Sequence, residues 1–403
     1  MKYLKESLVE KYNKKILGIC GFSFFGNMFF DRAIWTIFLL SKGISIIEIG
    51  IIESTLHLAI FLFEIPTGIV ADLHGRKFSL IISRFLCIIY GLGMIFFDKV
   101  IYLIIIFVIL GISETFESGA DTALLYELTD GDEEEKEKNF IKISGKYGFC
   151  ATMGLFIAMI LGGIFKVISW NLVYFSFICV QAISIIFLML IDEREINVAN
   201  DNLNIKSVVT NLMTSTKDVL TNKVFFILIL GIVIFTASIN SIYLFMPIWF
   251  KNLGITETVI SIIYGIDSII GAVIYANVSK MENKININKL ILVPPILAAL
   301  NLILICFVSK NFAIILFVII NNCVILFYVL SSTLINKRIK SENRATVLST
   351  VSFINSFVMI IIFPIMGYSI EHFSINVVFG LLCILCIISI ALIVRFKKLS
   401  TSD

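Results

Sequence analysis

Charged residues are scarce in this chain of 403 residues. Only 15% of its residues are Asp, Glu, Lys or Arg, while 59% are hydrophobic. Soluble globular domains have about 25% charged and about 45–50% apolar residues, so a water-soluble fold of this length could not bury so much apolar surface. The formal net charge of +3 provides no broad basic field, and we expect no nucleic-acid partner.

Motifs of nucleotide-driven and zinc-dependent enzymes are also missing. The chain has no G-x-x-x-x-G-K-[ST] and no H-E-x-x-H sequence, and its three histidines are far apart. We therefore expect no enzymatic activity, no cofactor and no metal site. Among the eight cysteines, only Cys383 and Cys386 have C-x-x-C spacing. Their apolar surroundings predict buried packing rather than a disulfide framework.

Long apolar segments, by contrast, recur along the chain. Each has about 20 residues, enough for a helix to cross a hydrocarbon core of about 30 Å. The first segment has no small-residue cleavage site, so we expect it to be retained. The sequence predicts an all-α integral membrane protein with twelve transmembrane helices. They lie at about 16–40, 46–71, 78–97, 100–127, 140–166, 169–191, 223–250, 256–278, 288–308, 311–335, 345–370 and 374–395.

The basic residues of the connecting segments predict the orientation of the chain. With an even number of crossings, both termini lie on one side, and most Lys and Arg residues fall on that side. The cations of the opposite side are Lys42, Lys99, Lys166, Lys251 and Lys310. Because Lys and Arg are enriched in cytoplasmic loops, we expect a multi-pass protein of the inner (cytoplasmic) membrane with cytoplasmic N- and C-termini.

The longest polar stretch divides the chain in the middle. We expect an N-terminal six-helix bundle at 1–191, a cytoplasmic linker at 192–222 and a C-terminal six-helix bundle at 223–403. Two such halves around a central pathway are typical of transporters built from repeats.

A ten-residue motif follows the second predicted helix. GIVADLHGRK, residues 68–77, resembles the G-x-x-x-D-x-x-G-R-[RK] loop signature of the major facilitator superfamily. The residues in register are Gly68, Asp72, Gly75, Arg76 and Lys77. The resemblance implies the major facilitator fold, a functional monomer and a cytoplasmic gating loop. As the ionic partner of Arg76 or Arg84 we expect Glu127, at the cytoplasmic end of helix four.

Elementary chemistry suggests a role for each residue of this loop. Gly68 permits close helix approach, Asp72 can cap a helix N-terminus, and Gly75 allows a tight turn. Arg76 and Lys77 supply positive charge on the cytoplasmic side. A plain positive-inside anchor is the alternative interpretation.

Two further resemblances concern the type of transport. The predicted fifth helix partly matches a g-x-x-x-G-P-x-x-G-G pattern of proton-coupled antiporters, through Gly154, Ala158, Met159, Gly162 and Gly163. Small residues in membrane helices also serve simply as packing surfaces. The phrases FLFEIPTGIVADLHGRK and ETFESGADTALLYE resemble those of bacterial drug and macrolide efflux carriers.

Acidic residues inside predicted membrane helices are functional candidates, because each charge costs about 2.5–3.5 kcal/mol to insert. Glu114, Glu117 and Asp121 fall within an arc of about 60° on one helix, and Asp31 lies in helix one. These four are our candidates for proton coupling. About half of the intramembrane acids are expected to be structural instead.

Helix one and the C-terminal half supply candidates for the substrate cavity. Adjacent residues of a helix do not face each other, so we expect Arg32 to pair with Glu114 or Glu117 rather than with Asp31. The cavity candidates are Asn27, Arg32, Trp35, Asn240, Tyr243 and Asp267.

These features favour a secondary active transporter in the lipid bilayer. Our leading hypothesis is proton-coupled export of amphipathic small molecules, of multidrug or macrolide type, by alternating access. A nutrient, peptide or lipid transporter of the same fold is the alternative, and a non-transporting membrane sensor is a third hypothesis. The sensor would leave the intramembrane charges without a purpose.

Overall fold

The computed structural model of the chain describes residues 2–129, 132–191, 223–281, 287–338 and 344–399. All regular structure in these ranges is helical. The N-terminal half contains α1 (Lys2–Gly26), α2 (Trp35–Ser41), α3 (Ile46–His74), α4 (Arg76–Phe96), α5 (Val100–Glu117), α6 (Ala120–Glu127), α7 (Glu133–Ile168) and α8 (Trp170–Met189). The C-terminal half contains α9 (Lys223–Asn252), α10 (Glu257–Met281), α11 (Ile287–Leu290), α12 (Val293–Leu304), α13 (Lys310–Arg338), α14 (Arg344–His372) and α15 (Ile375–Leu399).

The predicted all-α membrane fold is confirmed. In the described part of the chain, ten spans are long and apolar enough to cross a membrane. The two other predicted crossings, 16–40 and 288–308, consist of interrupted helices. The first contains the end of α1 and α2, and the second contains α11 and α12.

Three segments that we predicted as continuous helices are broken, and two of them carry candidate residues. In the predicted helix 16–40, α1 ends at Gly26 and the helix resumes only at Trp35. In the predicted helix 100–127, α5 ends at Glu117, and Gly119 adopts a φ of 74° before α6. Glycine reaches this left-handed conformation without a steric penalty, so the direction of the chain changes there.

The described residues form two compact units, which depart from the sequence halves in two places. The first unit comprises Met1–Trp35, Leu58–Asn202 and Glu257–Ser268, and the second comprises the remainder. The start of α3 therefore belongs to the second unit, and the start of α10 belongs to the first. The predicted linker, 192–222, lies outside the described residues.

In the first unit, α1 and α7 pack at backbone distance. A Cβ on Gly154 would collide with the backbone oxygen of Phe24, and a Cβ on Gly162 would collide with that of Phe30. The glycines of the antiporter-like pattern therefore have a direct packing role, as small residues in membrane helices often do.

In the second unit, α9 is the most buried helix. Phe235 on α9 meets Phe327 on α13 edge to face, with ring centroids 4.6 Å apart. On the side of α15, Ser389 Oγ donates to the Gly231 backbone oxygen over 2.6 Å. Two neighbouring helices are thereby attached to α9.

We expect Gly162→Ala to destabilise the protein, although alanine normally favours a helix over glycine by about 1 kcal/mol. Its methyl group would collide with the Phe30 backbone oxygen, and such overpacking costs about 1–3 kcal/mol. Gly148→Ala is the matched control, since a Cβ at Gly148 on the same helix meets nothing within 4 Å. Melting of the purified variants in detergent tests this expectation. Equal melting temperatures for the two variants would contradict the packing.

Candidate functional site

The first helix ends within the predicted first crossing, and two buried side chains bind its last carbonyl group. The Gly26 oxygen accepts a 2.7 Å hydrogen bond from Arg84 Nη1 on α4 and a 3.2 Å hydrogen bond from Gln181 Nε2 on α8. Arg84 also donates to Gln181 Oε1 over 3.2 Å. A helix end leaves carbonyl groups without partners, which is costly where water is absent. Arg84 and Gln181 supply the missing donors.

Arg84 is also half of an ion pair. Its Nη2 pairs with the carboxylate of Glu117, the last residue of α5, and the Arg84 side chain is 1% exposed against 27% for Glu117. The guanidinium carbon lies 5.1 Å from the centroid of the Phe22 ring. Removing one partner of a buried pair leaves an uncompensated charge and costs about 3–5 kcal/mol. Arg84 thus connects α1, α4, α5 and α8.

This arrangement decides between the alternatives of two predicted pairings. Glu117 pairs with Arg84, not with Arg32, because α4 brings a second guanidinium group to the end of α5. For the same reason Glu127 is not the partner of Arg84. Arg32 is exposed and interacts electrostatically with Glu114, the other partner that we had considered for it.

Asp31 lies in the segment between α1 and α2, and its side chain is 2% exposed. Its Oδ2 accepts a 2.8 Å hydrogen bond from the hydroxyl of Tyr90 on α4, and the Tyr174 hydroxyl on α8 interacts with the same carboxylate. The Asp31 backbone oxygen accepts from Trp35 N over 2.8 Å and so begins the turn into α2. The hydrogen bond from Tyr90 comes from a neutral phenol, and the exposed Arg32 interacts with the carboxylate electrostatically.

The predicted acidic stripe is only partly present. Glu114 and Glu117 share α5, but Asp121 lies beyond the turn at Gly119, on α6. Its Oδ1 accepts from the backbone nitrogen of Thr122 over 2.6 Å, and its Oδ2 accepts from the Tyr147 hydroxyl over 3.3 Å. The helical-face arithmetic failed for Asp121 because the helix is not continuous.

The signature loop forms a compact ionic cluster between α3 and α4. Arg76 pairs with Asp72, and its Nε lies 3.9 Å from Glu127 Oε1, which is one of the two contacts that we predicted for Glu127. Lys77 Nζ donates to the backbone oxygen of Ile191 over 2.6 Å, just past the end of α8. Gly75 has a φ of 99°, which fits its predicted role in a tight turn.

Two proposed roles in this loop are wrong. Among the residues that the structure describes, nothing lies within 4 Å of a Cβ on Gly68, so none of the described helices approaches closely there. Asp72 does not cap α4, whose N-cap residue is Gly75 without a side-chain hydrogen bond. Its carboxylate pairs with Arg76 one turn later instead.

The remaining cavity candidates differ in exposure. Asn27 Nδ2 donates to the Ser23 backbone oxygen of the preceding turn over 2.9 Å. Trp35 is buried, with its ring centroid 5.0 Å from that of Phe107, which is a packing position. Asn240 and Tyr243 on α9 are partly exposed, whereas Asp267 on α10 is 2% exposed.

Sequence reasoning missed the role of Arg84 and the partner of Thr236. Thr236 Oγ1 on α9 lies 2.9 Å from Asn355 Oδ1 on α14, and this is a polar contact within the second unit. The signal for Arg84 was present, since it is a lone guanidinium group in the apolar run FSLIISRFLCIIYG. Its partner depended on tertiary structure.

The comparison with known protein families assigns the chain to one of them. The family model described as "Major Facilitator Superfamily" matches residues 17–361. The chain belongs to the major facilitator superfamily. This superfamily member is therefore a multi-pass membrane transporter and not an enzyme.

Relatives and solved structures agree with this assignment. The "Uncharacterized MFS-type transporter YxaM" of Bacillus subtilis (strain 168) is 24% identical over 266 residues, a match that spans 63% of this chain and 63% of that protein. A crystal structure of the nucleoside transporter NupG superposes with a TM-score of 0.74 at 17% identity, covering 96% of this chain and 98% of that one. A D-xylose-proton symporter superposes with a TM-score of 0.68 at 15% identity, covering 96% and 97%. At such identities the structures show the shared fold alone.

We expect Arg84→Gln to lower the free energy of unfolding by about 3–5 kcal/mol, because Glu117 would keep its charge without a partner. The Arg84→Gln, Glu117→Gln double variant should recover part of this loss, since it removes the stranded carboxylate. Arg395→Gln changes an exposed arginine on α15 and serves as the control. The free energy of unfolding in detergent is measured for these three variants and for Glu117→Gln alone. If the loss of stability in the double variant equals the sum of the losses in the two single variants, the two side chains do not interact and the ion pair is contradicted.

Proposed function

We propose that this superfamily member exports amphipathic small molecules in exchange for protons, with Asp31 as the proton carrier. The observation that carries the proposal is a carboxylate that is 2% exposed and held by the Tyr90 hydroxyl. Tyr90 and Tyr174 are neutral and each can donate or accept a hydrogen bond. Asp31 can therefore gain or lose a proton while a partner remains in place.

The partners of the other acids give them different tasks. Glu117 neutralises Arg84, and Asp121 is bonded to Thr122 and Tyr147, so both have structural roles. Glu114 is partly exposed and interacts with Arg32, which makes it the second candidate for proton transfer. One proton moving down the membrane potential supplies about 2.3 kcal/mol per 100 mV, which is enough to concentrate a substrate.

The excess of acidic over basic side chains in the first unit favours a cationic substrate that is exchanged for protons. The intramembrane acids Asp31, Glu114, Glu117 and Asp121 outnumber the intramembrane cations Arg32 and Arg84. Aromatic faces and carboxylates together suit amphipathic cations. The transporter would work as a monomer, with small-molecule substrate and protons as its partners.

Proton-coupled uptake of a polar nutrient is the second candidate. The Thr236–Asn355 contact, together with the partly exposed Asn240 and Tyr243, gives the second unit polar groups that could bind a polar substrate. A nucleoside transporter and a D-xylose-proton symporter share the fold. Nucleosides and pentoses therefore belong in the substrate screen beside cationic drugs and macrolides.

We also propose that the protein lies in the inner membrane and that both of its termini face the cytoplasm. The basic residues that support it lie mainly on one side of the predicted crossings.

Substrate-evoked proton movement in proteoliposomes that contain a pH dye tests the coupling. For export by antiport, we expect protons to move opposite to the substrate, and for the nutrient candidate they move with it. Asp31→Asn should abolish the proton signal but retain substrate exchange between the two sides, because exchange needs no net proton release. Asp98→Asn changes an exposed acid between α4 and α5 and should behave as wild type. Undiminished proton flux in Asp31→Asn would exclude Asp31 as the carrier.

Reporter fusions test the orientation. We expect a C-terminal green fluorescent protein to fluoresce and a C-terminal alkaline phosphatase to be inactive in a bacterial host, because the phosphatase needs disulfides that form outside the reducing cytoplasm. Active phosphatase at the C-terminus would reverse the proposed orientation.

A further inference from the structure

Cys20 on α1 and Cys150 on α7 are neighbours in a helix pair of the first unit that packs at backbone distance. Both thiols are free and only partly buried. No sequence pattern marks this pair, because the two residues are far apart in the chain and have no motif spacing.

Contacts within about one turn of the pair hold the two backbones near each other. Ser23 Oγ donates to the backbone oxygen of Tyr147 over 2.8 Å, three residues from the cysteine on each helix. One turn beyond the pair, Gly154 lies against the Phe24 backbone so closely that a Cβ would not fit. A disulfide requires Cα atoms about 4.4–6.8 Å apart, and helices in backbone contact provide such separations.

We propose that Cys20 and Cys150 form a reversible disulfide that fastens α1 to α7 when the protein meets a two-electron oxidant. Each thiol loses a proton and the pair loses two electrons as the S–S bond forms. With an azo oxidant such as diamide, the N=N bond accepts both electrons and both protons and becomes a hydrazine. A dithiol reductant reverses the reaction by exchange.

The disulfide would constrain the segment that carries the proton-coupling candidates. Cys20 lies less than two turns before Gly26, where α1 ends, and Cys150 follows Tyr147, which binds Asp121. A covalent link here fixes α1 against α7 next to the helix break. The formation of the link does not depend on the proposed transport activity.

Peptide mapping of the full-length protein tests the proposal. Protein in detergent micelles is treated with diamide, blocked with N-ethylmaleimide, digested and analysed by mass spectrometry. We expect the peptide linked through Cys20 and Cys150 to rise about tenfold over the untreated sample, because adjacent thiols react with a high effective concentration. Dithiothreitol should remove it. Cys20→Ser and Cys150→Ser should lack it, and Cys179→Ser should retain it.

If no linked peptide is found, alkylation of the untreated protein shows whether reagents can reach the two thiols. If N-ethylmaleimide labels both thiols and diamide produces no link, the sulfur atoms are not in bonding position, and the proposal is overturned. If neither labelling nor linkage occurs in the folded protein, oxidants cannot reach the site, which also overturns it. As a second measurement, the linked protein should melt at a higher temperature than its reduced form, since the closed loop constrains the unfolded chain. An unchanged melting temperature in the linked protein would contradict the fastening of α1 to α7.

Discussion

The carbonyl group of Gly26 ends a helix at a buried position within the predicted first crossing, where an unpaired backbone group is costly. Arg84 donates to this oxygen over 2.7 Å while its other nitrogen pairs with Glu117. A guanidinium group suits this position because it carries five donors in a rigid plane, whereas a lysine would supply a single charged nitrogen. The interrupted first crossing, and with it the position of Asp31, depends on this side chain.

The same interaction separates the acids of the first unit into two kinds. Glu117 neutralises Arg84, which would otherwise be a buried cation without a counter-ion. Asp31, just past the helix end, accepts a hydrogen bond from the Tyr90 phenol instead. The two carboxylates therefore differ in their partners, an ion pair for Glu117 and a phenol hydrogen bond for Asp31. Protonation of Glu117 would strand the buried Arg84, whereas the cation that interacts with Asp31 is the exposed Arg32.

Much of the fold could be predicted from the sequence, because segment length and apolar composition are local properties. The class of fold, the superfamily and the turn at Gly75 follow from such signals. The breaks after Gly26 and at Gly119 do not, since an interrupted helix is stable only where other helices supply donors or where the chain can turn. The donors to Gly26 come from α4 and α8, which are distant from it in the sequence.

The errors at the site have the same origin. Helical-face arithmetic placed Asp121 with Glu114 and Glu117, and the left-handed Gly119 removed it from that face. For Arg32 the sequence left Glu114 and Glu117 open as partners. Arg32 interacts with Glu114, whereas Arg84 approaches Glu117 through the contact of α4 with α5. Charge partners in a helical bundle are decided by which helices are neighbours, and a single sequence does not contain that information.

Proton coupling through Asp31 requires that this carboxylate changes its protonation during transport while Glu117 stays ionised against Arg84. Infrared difference spectroscopy of the carboxyl C=O stretch can be recorded as the pH is lowered on membrane-reconstituted protein. We expect a protonated-carboxyl band that is absent in Asp31→Asn and retained in Glu117→Gln. A band that survives in Asp31→Asn and disappears in Glu117→Gln would show that Glu117, and not Asp31, takes up the proton.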